Sequence, residues 1–99
     1  MTLDELKILW EKYNDEYLMF SKIKNPLHHR RDICALLMLD KIKGGTSSGS
    51  IIDASEHDEY YIDIDCEKFA AVVSEQQIID LIRCGVRYDT GLGCFCIFT

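Results

Sequence analysis

From Asp53 to Glu67 the chain has no Lys or Arg at all, although the same stretch carries seven acids. A field of one sign over a small surface selects partners and steers encounter, and it says almost nothing about fold. The chain also lacks any long apolar run. The longest, Ile33 to Leu39, is far short of a membrane span and excludes a transmembrane helix. No cleavable leader is expected, because Met1-Thr2-Leu3-Asp4-Glu5 is acidic and leads directly into an amphipathic pattern. Cys-x-x-Cys knuckles are missing too. The five cysteines are odd in number and sit in apolar surroundings, which fits reduced core thiols in a cytoplasmic protein rather than a disulfide framework.

What is present is one domain of 99 residues, spanning 1–99, with enough apolar content to close a single core. Its net charge of −6 is unevenly spread. Residues 1–43 hold eight Lys/Arg against seven Asp/Glu, or +1, and residues 44–99 hold three against ten, or −7. Phosphate contacts need clustered cations, so this balance argues against direct nucleic-acid binding and toward a basic protein surface as partner.

The apolar periodicity predicts an α+β fold with element order ααββααββ: about four antiparallel strands packed on helices in two layers. Thr2 with Glu5 forms a capping box, and Leu3, Leu6, Trp10, Tyr13, Tyr17 and Phe20 predict one continuous helix about five turns long. Asn25-Pro26 predicts the start of a second helix running to about Lys43, apolar on every side and therefore central, with Gly44-Gly45 as its stop. The segment 44–50 reads as a flexible loop.

Two stretches, 50–54 and 59–65, then flank a polar turn and predict a hairpin. Tyr60, Ile62 and Ile64 fall on its core side, and Glu59, Tyr61, Asp63 and Asp65 on its wet side. Residues 66–73 suit a helical turn or two. Ser74 and Gln77 form a second capping box, opening a helix that Gly85 stops. A final hairpin joins Val86-Arg87-Tyr88 to Cys94–Phe98, whose two apolar faces suit a central strand.

The candidate partner-binding residues are Asp53, Glu56, Asp58, Glu59, Tyr61, Asp63 and Asp65. Nothing in the sequence spells out a reaction, which makes a non-enzymatic binding protein the leading reading. Such a protein would inhibit or modulate a basic partner, and carboxylates standing in for phosphates would suit a partner that handles nucleic acid. The alternative is a phosphate or nucleotide binder at His28, His29, Arg30 and Arg31, where basic side chains meet the expected helix start. The same basic block set against the acidic face would also make a two-fold homodimer.

No cofactor or metal is expected. Asp53, Asp63 and Asp65 could meet a hard cation only if the sheet brought them together, and Cys94-x-Cys96 lacks the knuckle spacing of structural zinc. A Cys84–His57 nucleophile pair has no supporting motif, and the dipole at a helix C-terminus disfavours a thiolate there.

Residues 54–59, 62–65 and 83–89 resemble small accessory proteins encoded by bacteriophages. The resemblance covers roughly the C-terminal half. It implies expression in a bacterial cytoplasm and binding or inhibition of host machinery, and it brings no known activity.

Overall fold

The computed structural model describes residues 1–43, 49–56 and 58–98, with the backbone alone for Lys43 and Asp53. Its elements are α1 (Leu3–Lys12), α2 (Arg31–Lys43), β1 (Ile52–Glu56), β2 (Glu59–Ile62), α3 (Cys66–Val72), α4 (Glu75–Arg83), β3 (Val86–Asp89) and β4 (Cys94–Phe98). The four strands form one antiparallel sheet in the order β1-β2-β4-β3. The α+β architecture and its element order are those expected, and the final strand is central.

Both capping boxes form. Thr2 and Glu5 exchange hydrogen bonds at the start of α1, and Ser74 and Gln77 do so at α4, each satisfying two otherwise free N–H groups. α4 stops where expected: Cys84 is its C-cap and Gly85 follows at φ +94.

The first helix is shorter than its apolar seam. α1 ends at Lys12, and the chain continues through two single 3₁₀ turns, Asn14–Glu16 and Phe20–Lys22. Asn14 and Asp15 compete locally for backbone hydrogen bonds and favour a turn there. A distant contact completes the break: Leu18, at φ 65, donates its N–H to the Ile82 carbonyl at the end of α4. Tyr13, Tyr17 and Phe20 still pack on the core, from turns rather than from one helix face.

The second helix begins at Arg31 instead of Pro26. Residues 26–30 are non-helical, and the first intrahelical bond runs from Cys34 N–H to the Arg30 carbonyl. This start leaves Arg30 outside the first turn, where its positive charge would oppose the dipole, along with His28 and His29, and places Asp32 inside it. Nor is α2 buried all round. Cys34, Ala35 and Leu39 are buried, whereas Leu37 is 44% exposed. Its expected stop at Gly44-Gly45 and most of the 44–50 loop lie outside the described residues.

The middle hairpin is tighter than predicted. β1 extends through Glu56, and β2 stops at Ile62, so Asp63 and Asp65 leave the strand. Asp65 becomes the N-cap of α3, accepting from the N–H groups of Glu67 and Lys68. Helix formation drew it there, because a carboxylate at a helix start satisfies two free donors and meets the positive end of the dipole.

The core lies between the helices and one face of the sheet. Directly opposed residues in antiparallel strands share a face, so Ile62, Val86, Phe95 and Ile97 point together at Leu6, Phe69, Ile78 and Leu81. Phe95 is its centre, with Trp10, Phe69 and Tyr88 rings 5.1, 5.0 and 5.4 Å away. Among the described residues no helix is long and apolar enough to cross a membrane.

Candidate docking face

The register places Glu59, Tyr61, Arg87, Cys96 and Phe98 on the sheet face opposite the core. Cys96 is fully buried yet stands apart from the core cluster, so its cover comes from its own neighbours on the outer face. Arg87 supplies much of it. Its guanidinium lies 4.5 Å over the Phe98 ring and donates to Glu59 at 2.8 Å, reaching across β4 from β3 to β2. The Tyr61 hydroxyl donates to the other Glu59 oxygen at 3.5 Å. Burial and the Glu59 charge together push the Tyr61 hydroxyl above its ordinary pKa.

The acidic segment is thereby divided. Glu56 and Asp58 are exposed at the hairpin tip, with Asp58 at φ 66 closing the turn. Glu59 is taken up by Arg87. Asp63, Asp65 and Glu67 are exposed beyond the other end of β2, the nearest of them, Asp63, roughly 13 Å along the chain from Glu59 at about 3.3 Å per residue. Asp53 lies in β1, and His57 lies outside the described residues. The acids therefore lie in two groups at opposite ends of the β1–β2 hairpin, rather than forming a continuous strand face.

The cations that could have neutralised these acids are mostly engaged elsewhere. Arg83 binds Glu16 at 2.7 Å and Asp80 at 3.2 Å, and its hydrogen bonds hold the Glu16 carboxyl below the usual range. The Arg31 side chain runs past Gly85. His28 and His29 stack with ring centroids 4.4 Å apart, and His28 Nδ1 accepts the Arg30 N–H. At the start of α2 the Asp32 carboxylate accepts the Ile33 N–H, so the helix end already carries an anionic group of its own. The four residues of the basic block thus straddle a loop and the start of α2.

Among the described residues no three His, Cys, Asp or Glu side chains are placed to hold a metal ion. Asp65 points its carboxylate at the α3 backbone. Cys66 donates to the Gly93 carbonyl, and burial pushes its thiol up to about 11. Cys96 is likewise raised to about 11, and burial beside Cys34 raises Cys84 further. Thiols held neutral in this way are poor nucleophiles at neutral pH.

A groove of about 820 Å³ opens at the other edge of the sheet, between α1 and β3. Trp10, Tyr88 and Phe98 contribute to its walls, with Lys7, Ile8 and Glu11 along its helical lip. The Trp10 indole N–H donates to the Val86 carbonyl at 3.3 Å, and so occupies part of the β3 edge. The apolar seam of α1 does not reveal this groove. The signal for it was Ile8, a large apolar residue off the buried stripe of its own helix and 66% exposed.

No family model matches the chain, and neither the curated proteins nor the solved structures gave a match.

Proposed function

We propose that this chain is a non-enzymatic binding protein that engages a basic protein surface through the acidic edge formed by β1, β2 and the start of α3. The observation that carries this reading is the exposure of Glu56 and Asp58 at one end of the β1–β2 hairpin and of Asp63, Asp65 and Glu67 at the other. The ion pair between Arg87 and Glu59 removes one acid from the group, and Arg83 is committed to Glu16 and Asp80. Such an edge raises the encounter rate with a cationic surface and rejects anionic ones. A bacterial protein that handles nucleic acid is the favoured partner, with carboxylates meeting the side chains that otherwise contact phosphates.

Charge reversal tests this directly. Asp63→Lys with Glu67→Lys is the informative pair, because reversing Asp65 would also remove a helix cap. The wild-type chain should retain a protein with a basic surface from a bacterial lysate, and moderate salt should release it. The reversed variant should lose that capture while remaining folded by circular dichroism, with Glu67→Lys in the first turn of α3 costing at most about 1 kcal/mol. Retention that survives both reversal and salt would refute the proposal, as would a retained protein lacking a basic surface.

A further inference from the structure

We infer that the groove between α1 and β3 is a self-association surface, joining two copies of this chain about a two-fold axis. This inference concerns the sheet edge opposite the acidic one and stands whether or not the acidic edge binds a partner.

A two-fold interface must be self-complementary, with a projection and the hollow that receives it on the same patch. The patch has both. Ile8, the most exposed large apolar side chain among the described residues, stands on the lip of the 820 Å³ groove. Tyr88 and Phe98 line the same hollow. A dyad at this edge would place the Ile8 of each copy in the hollow of the other.

The charges follow the same symmetry. Lys7 and Glu11 lie one helical turn apart on the groove side of α1, on either side of Ile8 in the sequence. Neither has an oppositely charged side chain at ion-pair distance among the described residues; Lys7 sits 5.9 Å over the Tyr88 ring. The order Lys then Glu at i, i+4 is the weaker one for pairing within a helix. In an antiparallel α1–α1 crossing centred near position 9, each Lys7 instead meets the Glu11 of the other copy, making two pairs.

Global charge favours this edge over others. Two chains of net charge −6 repel, and the strand order places the acidic hairpin at the far side of the sheet from β3. Joining at β3 turns both acidic edges outward. Because the Val86 carbonyl is already taken by Trp10, the contact is one of side-chain packing rather than sheet extension. A standard interface takes about 800 Å² per partner, roughly an eighth of the 5978 Å² surface.

Sedimentation equilibrium across a wide concentration range tests the inference, with circular dichroism as the check on folding. The wild-type chain should pass from one copy to two as concentration rises. Ile8→Asp should weaken dimerisation at least about a hundredfold, and its exposure means the fold should survive. Lys7→Glu and Glu11→Lys should each weaken it about tenfold. The double variant Lys7→Glu/Glu11→Lys should recover, and an equimolar mixture of the two single variants should form a mixed dimer. A wild-type chain that stays monomeric at every concentration overturns the inference. So does a dimer indifferent to Ile8→Asp, or single variants that fail to rescue each other.

Discussion

Gly85→Ala is the substitution whose cost the structure specifies most closely. Gly85 follows the α4 C-cap, Cys84, at φ +94, and a Cβ placed on it would stand 2.9 Å from Leu18 Cδ2 and 3.5 Å from Arg31 Nε. Holding an L-residue at positive φ costs about 1–2 kcal/mol. Loss of backbone freedom in the unfolded chain returns about 0.4–1 kcal/mol. The Leu18 contact then adds to the cost, although Cδ2 is the far end of a side chain and can shift. The net expectation is a loss of about 1–2 kcal/mol. With a urea dependence of about 1.5 kcal/mol/M, the unfolding midpoint should fall by about 1 M. Trp10, the sole tryptophan and 8% exposed, provides the fluorescence readout.

Two controls separate the causes. Gly49 has φ +124 with nothing within 4 Å of a built Cβ, so Gly49→Ala carries the backbone penalty without a clash. Leu18→Ala should relieve the steric share of Gly85→Ala, giving a coupling of about 0.5 kcal/mol or more in a double-mutant cycle. A Gly85→Ala midpoint at or above wild type would refute the account of how α4 ends. Strictly additive effects of Leu18→Ala and Gly85→Ala would remove the contact from it.

Two other outcomes follow from particular groups. Asp65→Ala should cost about 1 kcal/mol in urea unfolding, because the N–H groups of Glu67 and Lys68 lose their acceptor, whereas Asp63→Ala should stay within about 0.5 kcal/mol; equal costs would contradict the capping role. In alkali, Cys66 and Cys96 are held neutral in the fold up to about 11 against an ordinary value of 9.0. The unfolded chain therefore loses these protons first, so their stabilisation is complete below about pH 9 and is lost as pH rises toward 11. Tyr61 and Tyr88, also raised by burial, act in the same direction. Thermal midpoints that stay flat across that window would contradict the assignment.

The amino-acid sequence by itself determined the features that act over a few residues. Thr2 with Glu5, and Ser74 with Gln77, announce two helix starts because each pair satisfies its own neighbouring N–H groups. Gly85 announces a stop, and period-two patterning announces the strands and their core side. The same patterning also marked the acidic segment as a block of one sign. The pairing of Glu59 with Arg87 was not visible, because it depends on a partner 28 residues away; the Asp65 cap is local, and strand patterning carried through position 65 hid it.

Tertiary structure decided the rest. An apolar seam shows which side chains will be buried, but it does not say whether one helix or several turns will bury them. That choice fell to contacts such as Leu18 N–H to the Ile82 carbonyl and Glu16 to Arg83, both spanning more than sixty residues. The α1–β3 groove belongs to the same class, since its walls come from opposite ends of the chain. Hydrogen-bonding needs at a cap are settled locally, whereas burial and charge pairing are settled by whichever distant groups the fold brings within reach.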